Sequence, residues 1–269
     1  MTMIKDNKLI ASEISHIAEV ASMLWSKGWA ERNGGNISVD LTDCLTPREL
    51  RTKPVKAGIV LPIPMPALEG HVFYVTGTGR RMRDVAREPW ENGALIKIAN
   101  DGLSYDILGI NPVMPTSELA SHLLIDSSLI SAGRPMRVVL HTHPTDLIGL
   151  THCKELLDSR KLSLLLWSMI PECRIIVPKG IGIVPYVAPG TIELARATIT
   201  LLENHDVIIW EKHGILAVGD DIIECFDAID TLSKAAQIYF SARAAGFEAE
   251  GMTNEQLQEL ALLFKLPSF

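Results

Sequence analysis

The chain has 269 residues, of which 47% are hydrophobic, and this composition supports a substantial buried core and argues against a disordered chain. A formal net charge of −7 argues against a general nucleic-acid binder, which needs an excess of Lys and Arg to neutralise phosphates. A small anionic ligand is still compatible with this charge, because backbone N–H groups bind phosphate without net positive charge.

Neither a secretory signal nor a membrane span is expected. Charged and polar residues occupy positions 5–8, where a signal peptide needs its apolar stretch. The most apolar segment elsewhere, residues 162–170, is too short for a bilayer, which needs about 20 residues. The sequence therefore predicts a cytoplasmic protein with no membrane partner. The four cysteines do not form a Cys-x-x-Cys pair, so neither a disulfide framework nor a thiolate zinc site is indicated; they are Cys44, Cys153, Cys173 and Cys225.

The amino-terminal part of the chain predicts a helix, a glycine-rich loop and a strand. Apolar residues recur every three or four positions from Ile10 to Leu24, which is typical of an amphipathic helix. The segment Asn33-Gly34-Gly35-Asn36 follows, and residues 37–41 alternate as a short strand does. The prolines between positions 54 and 66 favour a loop or an edge crossing over a central strand.

A strand and a hairpin are predicted next. The strand covers residues 72–75 and runs into Thr76-Gly77-Thr78-Gly79. The hairpin has strands at residues 95–99 and 103–108, because Asn100-Asp101-Gly102 between them is a strong turn signal.

A helix and another strand follow in the middle of the chain. The helix begins near Glu118, with Thr116 or Ser117 as its cap. The strand is the β-branched run at residues 136–143, which Pro144 ends because proline cannot continue a ladder.

The rest of the chain alternates helices and strands. We expect helices at residues 146–153, 161–170, 192–203 (capped by Thr191), 222–245 and 254–266, and strands at 174–177, 182–184, 207–210 and 215–218. Neither an internal repeat nor a proline-rich linker divides the chain. The sequence thus predicts a single α/β domain over residues 1–269, with a mixed, largely antiparallel sheet and helices on both faces.

The sharpest chemical feature is His141-Thr142-His143 at the end of a predicted strand. Side chains at positions i and i+2 of a strand point to the same face, so both imidazoles can converge on one metal ion. Strand ends are also where sites open to solvent. Two histidines on a polar strand face are the alternative interpretation.

A third nitrogen ligand would strengthen the metal hypothesis, and His213 is the candidate. It sits between two predicted strands, where a neighbouring strand end can bring it beside the pair. Three histidines with one open position fit catalytic zinc, and cobalt or manganese fit the same ligands. The other histidines are expected to be structural or at the surface: His16, His71, His122, His152 and His205.

Glu118, within Pro115-Thr116-Ser117-Glu118, has two interpretations. A carboxylate in the first turn of a helix complements the helix dipole, which is a structural role. The functional interpretation makes Glu118 a carboxylate that ligates the metal or moves protons beside it.

Two loops have the composition of an anion site: Asn33-Gly34-Gly35-Asn36 and Thr76-Gly77-Thr78-Gly79. Their glycines let backbone N–H groups approach a phosphate, and their hydroxyl or amide side chains can hold it. Neither loop matches the P-loop or the dinucleotide fingerprint, so no nucleotide is implied. Each loop alone is also compatible with an ordinary turn.

Taken together, these motifs resemble those of the class II sugar-phosphate aldolase family, which includes L-fuculose-1-phosphate aldolase and L-ribulose-5-phosphate 4-epimerase. The likeness extends nearly from end to end, and the order Asn-Gly-Gly-Asn, Pro-Thr-Ser-Glu, His-x-His and a late His-Gly is a specific combination. It is carried by Lys27-Gly28-Trp29, Glu31-Arg32-Asn33-Gly34-Gly35-Asn36, Thr76-Gly77-Thr78-Gly79, Pro115-Thr116-Ser117-Glu118, His141 with His143, Pro171-Glu172-Cys173 and Lys212-His213-Gly214.

The resemblance implies the class II aldolase fold and a metal-dependent carbon–carbon lyase that acts on a small sugar phosphate. It implies one zinc ion per subunit, held by His141, His143 and His213, with Glu118 as the catalytic acid or base. Thr78 stands where the related aldolases have Ser, and the hydroxyl is retained. The implied phosphate-binding residues are Asn33, Gly35, Asn36, Thr78, Gly79, Thr116 and Ser117.

The resemblance also implies a homotetramer with four-fold symmetry. In such an assembly Glu172 would reach into the site of a neighbouring subunit as a second catalytic carboxylate. A plain surface glutamate is the alternative interpretation of this residue.

Two other functions are compatible with the sequence. The same fold and metal serve a 4-epimerase, a dehydratase or an aldolase for another sugar phosphate, and these differ in the aldehyde pocket and the residues that cross between subunits. A non-catalytic scaffold with this fold is the second alternative. A scaffold has no need of three histidines, a glutamate and both anion loops, all of which this sequence has.

Overall fold

A nine-stranded sheet forms the centre of the fold in this computed structural model, which describes residues 2–109, 112–134 and 136–268. Its strands are β1 (Asn36–Asp40), β2 (Lys56–Val60), β3 (Val72–Thr76), β4 (Gly93–Ile98), β5 (Ser104–Leu108), β6 (Val138–Thr142), β7 (Ile181–Val184), β8 (Val207–Trp210) and β9 (Gly214–Gly219). They lie in the order β2-β5-β4-β3-β1-β6-β9-β8-β7. Only β7 and β8 pair in parallel within the described sheet, which confirms the prediction of a mixed, largely antiparallel sheet.

Helices cover both faces of this sheet, as predicted. In the described ranges they are α1 (Thr2–Asp6), α2 (Lys8–Ser26), α3 (Met82–Arg87), α4 (Pro89–Asn92), α5 (Leu119–Ser131), α6 (Thr145–Leu150), α7 (Ser159–Met169), α8 (Pro171–Ile176), α9 (Ile192–Leu202), α10 (Ile222–Ala244) and α11 (Asn254–Leu263). Helices α2 and α10 pack together on one face, and α5 and α9 pack together on the other. No helix among these residues is long and apolar enough to cross a membrane.

The two faces of the central strand β1 have different chemistry. Ile37 and Val39 belong to the apolar cluster that includes α2 and α10. The alternate residues Asn36 and Ser38 are buried on the opposite face. Asn36 hydrogen-bonds to Glu118, just before α5, and Ser38 to His122 within α5. A polar row is therefore buried between one strand and one helix.

Several local predictions are confirmed, together with their physical basis. Helix α2 begins after Asn7, whose side-chain oxygen accepts the backbone N–H groups of Leu9 and Ile10. Helix α9 is capped by Thr191, whose hydroxyl accepts the N–H of Leu194. The proline-rich stretch contributes only β2, which lies at the edge of the described sheet.

The strand predicted at residues 174–177 is wrong, because this segment lies mainly in helix α8. Pro171 opens that helix, where its missing N–H leaves no intrahelical bond unmade. The guanidinium of buried Arg174 stacks 4.3 Å from the Trp167 ring centroid and donates to the carbonyl oxygen of Pro178. This packing outweighs the strand preference of the β-branched residues that follow.

Candidate active site

The ends of neighbouring strands bring the predicted site residues to one edge of the sheet. Strands β1 and β6 pair with Asn36 opposite His141, so the glycine-rich loop before β1 lies beside the His-x-His segment. Strands β6 and β9 pair with Thr142 opposite Ile215, which places the turn that holds His213 on the other side. Strand register thus assembles residues from distant parts of the chain.

The three predicted metal ligands form one cluster. One ring nitrogen from each of His141, His143 and His213 lies within 4.8 Å of the other two. Burial, with the neighbouring His143 as a smaller cause, lowers the pKa of His141, and burial lowers the pKa of His213 to about 4. His141 and His213 are therefore neutral near pH 7, and a neutral imidazole has the lone pair that a metal needs.

Hydrogen bonds determine which nitrogens carry free lone pairs. Nδ1 of His141 donates to the carbonyl oxygen of Ile215 at 2.9 Å, and Nδ1 of His143 donates to Oε1 of Glu31 at 2.7 Å. These contacts leave the two Nε2 atoms facing each other at 3.1 Å, so in neutral rings both Nε2 atoms carry lone pairs directed into the cluster. Nδ1 of His213 is buried and has no hydrogen-bond partner in the described part of the chain. Converging lone pairs of this kind fit a bound cation.

Glu31 lies at the site, although it is not among the site residues predicted from the sequence. Its carboxylate orients His143, as second-layer carboxylates orient metal-ligating histidines in many proteins. The Glu31 side chain is 66% exposed, and its local sequence does not distinguish it from a surface glutamate. Two signals in the sequence point to it: its position two residues before the glycine-rich loop, and its place in the motif at residues 31–36 that carries the family resemblance.

Two glycines permit the close packing of this cluster. A Cβ atom at Gly214 would lie 2.7 Å from ring carbons of both His141 and His143. A Cβ atom at Gly34 would lie 2.9 Å from Nδ1 of His143 and 3.0 Å from the Glu31 carboxylate. Any larger residue at either position would displace the histidines.

The two predicted anion loops meet in one cavity with the histidines. A β-bridge between Gly77 and Pro115 joins the loop after β3 to the segment before α5, and the Thr116 N–H donates to the Thr76 carbonyl at 2.8 Å. The cavity has a volume of about 150 Å³. Its lining residues are Asn33, Gly34, Gly35, Asn36, Thr76, Gly77, Thr78, Gly79, Thr116, Ser117, Glu118, His141, His143 and His213.

Glu118 lies in this cavity, immediately before α5. Its Oε2 accepts a hydrogen bond from Nδ2 of Asn36 at 2.5 Å. Its backbone N–H donates to the hydroxyl of Thr116 at 3.3 Å. The cap predicted at Thr116 or Ser117 is wrong, because Glu118 itself occupies the N-cap position and its side chain makes no capping hydrogen bond. The helix begins one residue after Glu118, close to the predicted start.

Glu172 is the predicted site residue that the fold does not bring to this cavity. It is exposed on α8, and it is not among the residues that line the cavity of its own chain. An exposed position is what a residue that acts in another subunit requires.

The arrangement can bind a small anion next to a cation. Three imidazoles converge on one point, and loops with glycine N–H groups, hydroxyls and amides surround the adjacent space. Glu118 adds a group that can accept or donate a proton within the same cavity. One small phosphorylated ligand could therefore contact all three kinds of group at once.

Known proteins are similar to this chain in sequence and in fold. A profile of the class II aldolase and adducin N-terminal domain matches residues 15–240. A protein named rhamnulose-1-phosphate aldolase from Bacteroides thetaiotaomicron is 46% identical over 266 residues, which cover 99% of each chain. A protein of the same name from Pectobacterium carotovorum is 36% identical over 257 residues, which cover 93% of each chain.

Solved structures agree with the predicted fold. A sugar-phosphate aldolase from Thermotoga maritima superposes with a TM-score of 0.76 and 31% identity over 88% of this chain and 97% of that one. An L-fuculose-1-phosphate aldolase from Thermus thermophilus superposes with a TM-score of 0.56 and 18% identity, over 88% of this chain and 97% of that one. At 18% identity, the second likeness is one of fold alone. The predicted class II aldolase fold is confirmed.

Proposed function

The chain belongs to the class II aldolase and adducin family, and from this premise we propose that it cleaves L-rhamnulose 1-phosphate reversibly to dihydroxyacetone phosphate and L-lactaldehyde in rhamnose catabolism. It is a carbon–carbon lyase of the metal-dependent class. The names of its relatives support this substrate. The observation that carries the chemistry is the single cavity that joins three histidines, Glu118 and both anion loops.

We assign one zinc ion per subunit to His141, His143 and His213. Zinc is favoured because three neutral nitrogen ligands with an open position fit its catalytic sites, although cobalt and manganese accept the same ligands. When bound, the ion supplies a Lewis acid for the negative charge that develops on the ketose oxygens during C3–C4 cleavage. The Ile215 carbonyl orients the His141 ring, and the Glu31 carboxylate orients the His143 ring.

We assign the phosphate group to the two anion loops and to the segment before α5, all of which line the cavity. Glycine N–H groups and hydroxyls can surround its oxygens, and the start of α5 adds the positive end of a helix dipole. The assigned residues are Asn33, Gly35, Asn36, Thr78, Gly79, Thr116 and Ser117. Asn36 uses one amide hydrogen on Glu118, which leaves the second for the ligand.

Two carboxylates are assigned the proton transfers. Glu172 from a neighbouring subunit, or a water that it positions, removes the proton of the C4 hydroxyl. The C3–C4 bond then breaks, L-lactaldehyde leaves, and Glu118 donates a proton to C3 of the remaining enediolate. The position of Glu118 in the cavity and the exposure of Glu172 on α8 support these roles.

This mechanism extends to the organisation of the whole protein. We propose that residues 1–269 form one class II aldolase domain and that the domain assembles as a cytoplasmic homotetramer. No lysine is needed to form a Schiff base with the ketose, so a lysine adduct trapped by borohydride with substrate would contradict the mechanism.

The substrate and the metal are tested together by measuring dihydroxyacetone phosphate release from L-rhamnulose 1-phosphate. Release should stop with a chelator and return when zinc is added. Zinc-loaded protein that releases nothing would contradict this substrate, and parallel assays with L-fuculose 1-phosphate and for 4-epimerisation would identify the replacement. Release that ignores the chelator would contradict the metal assignment.

Two variants separate the metal role from the proton role within this test. His141→Ala should lose bound zinc and activity together. Glu118→Ala should keep zinc while kcat falls by about 100- to 10,000-fold, because only the proton donor is missing. Bound zinc is measured in both purified proteins, and normal turnover by Glu118→Ala would remove Glu118 from the mechanism.

A further inference from the structure

His122 is a buried histidine next to the candidate site but outside its cavity. It lies one helical turn beyond Glu118 on α5 and is 2% exposed. Its Nδ1 lies 2.7 Å from the hydroxyl oxygen of Ser38, and its Nε2 contacts the side-chain oxygen of Asn36. From the sequence, His122 is expected to be a structural or surface histidine.

The hydrogen-bonding partners of His122 fix its tautomer. The side-chain oxygen of Asn36 can only accept, so Nε2 of His122 carries the hydrogen. Burial lowers the pKa of His122 to about 4, and the ring is therefore neutral near pH 7. In the neutral ring Nδ1 is an acceptor, which the Ser38 hydroxyl satisfies as donor.

This tautomer matches the orientation of the Asn36 amide, which also contacts Glu118. In the orientation present, the Asn36 oxygen accepts from His122 and the Asn36 nitrogen donates to Oε2 of Glu118 at 2.5 Å. A half turn of the amide would point its oxygen at the Glu118 carboxylate and its N–H₂ at the N–H of His122. With Glu118 ionised and this tautomer of His122, both contacts would then pair like with like, so the carboxylate and the N–H of His122 together hold the amide in the orientation present.

The side chains of β1 and α5 align because two residues along the strand and four residues along the helix cover similar distances. Asn36 and Ser38 are two residues apart on one face of β1, a rise of about 6.6 Å. Glu118 and His122 are four residues apart, a rise of about 6 Å on the helical repeat.

We propose that His122 is a positioning residue for the proton transfer by Glu118, acting through the amide of Asn36. This inference rests on the role of Glu118 in the proposed function. Without the N–H of His122, the Asn36 amide is free to turn, and Glu118 loses the donor that holds its carboxylate. The proton transfer should slow and metal binding should stay intact, while phosphate binding should weaken less, because Asn36 is one of seven residues assigned to the phosphate.

The test compares His122→Gln with His122→Met, two side chains of nearly equal length. Gln places an amide N–H₂ near the position of Nε2 and can still donate to Asn36, whereas Met has no donor. We expect His122→Gln to keep kcat within about 3-fold of the parent and His122→Met to lose about 10- to 100-fold in kcat, with a smaller change in KM. Values of kcat are expressed per zinc-loaded subunit, so that partial misfolding does not imitate the effect.

A third variant addresses the possibility that a buried Met disturbs packing. His122→Asn keeps an acceptor for Ser38 but is too short to reach Asn36, so its kcat should fall as in His122→Met. The matched control is His205→Asn, because His205 bonds through Nδ1 to the Lys179 carbonyl away from the cavity. Its kcat should equal that of the parent.

The decisive readout is coupling to Glu118. In a Glu118→Gln background, His122→Met should cause no further loss, because the group that it positions is already inactive. Parent-like kcat in both His122→Met and His122→Asn, or an undiminished further loss in the double variant, would overturn the proposal. If Glu118→Gln itself retained full activity, the role of Glu118 in the proposed function would fail instead.

Discussion

Gly214 lies against the histidine cluster, and the geometry of the cluster depends on the absence of a side chain at this position. A Cβ atom there would lie 2.6 Å from the Thr142 carbonyl oxygen and 2.7 Å from ring atoms of His141 and His143. Backbone on one side and two imidazoles on the other leave no flexible group to move away. The glycine is therefore required for the packing of the histidine cluster, although it contributes no side chain to it.

Gly214→Ala should weaken zinc binding by about 10-fold or more, because the added methyl group displaces ligating rings. The control is Gly149→Ala on α6, where the nearest atom to the new Cβ is a Phe240 ring carbon at 3.4 Å. That variant should keep parent affinity and gain up to about 1 kcal/mol in helix stability. Competition with a chromophoric chelator measures the affinities, and parent-like zinc binding by Gly214→Ala would contradict the packing argument.

At the scale of elements, β1 ends in a pH-sensitive contact. Asp40, the last residue of β1, accepts a hydrogen bond at 2.6 Å from Nδ1 of His71, just before β3. This hydrogen bond is the main cause that raises the pKa of His71, against the opposing effect of burial. The protonated histidine therefore links the ends of two adjacent strands.

The stability that this pair contributes should depend on pH in a defined direction. Because the folded pKa of His71 exceeds its unfolded value, the contribution is complete below about pH 6.5 and is lost as the pH rises through the folded pKa. His71→Gln should lower the free energy of unfolding by on the order of 1 kcal/mol at pH 5.5 and by less at pH 9. Urea unfolding at both pH values measures this, with exposed His152→Gln as control. An equal loss at both pH values would contradict the ion pair.

The elements were largely predictable because their signals are local. The apolar period of α2, the turn residues of the β4–β5 hairpin and the Thr191 cap all lie within the segment that they shape. The strand prediction at helix α8 is wrong because Arg174 makes contacts outside this segment, to the Trp167 ring and to the carbonyl oxygens of Pro178 and of the distant Pro267. Short apolar runs do not carry that information.

The site was only partly predictable, for a related reason. His141 and His143 follow from strand alternation, but the pairing of Asn36 with His141 is a matter of sheet register. The contacts of His122 depend on how α5 docks against β1, which no residue spacing within either element specifies. The roles of Glu118, Glu172 and the phosphate-binding loops stay predictions until they are tested.

At the scale of the whole molecule, the proposed tetramer makes a sharp prediction about Glu172. If Glu172 acts in a neighbouring subunit, Glu118→Ala and Glu172→Ala should each be nearly inactive as homo-oligomers. Co-expressed as mixed oligomers, they should recover about a quarter of parent activity, because a random site then combines one intact residue of each kind with that frequency.

Differently tagged subunits allow the mixed oligomers to be isolated, and light scattering gives their mass. Each variant expressed alone is the control for residual activity. Mixed tetramers with no recovered activity would contradict the action of Glu172 between subunits. A stable monomer with full activity would contradict both that role and the tetramer.

The sheet order also has a consequence for synthesis of the chain. Strand β6 pairs with β1 on one side and with β9 on the other, and β9 begins only at Gly214. A nascent chain released as far as β6 therefore presents an open edge beside His141, with unpaired N–H and C=O groups available to other chains. The third histidine arrives with the turn at His213, and the edge closes only when β9 has also left the ribosome. Prematurely terminated products would lack the complete metal site and keep the edge that promotes aggregation.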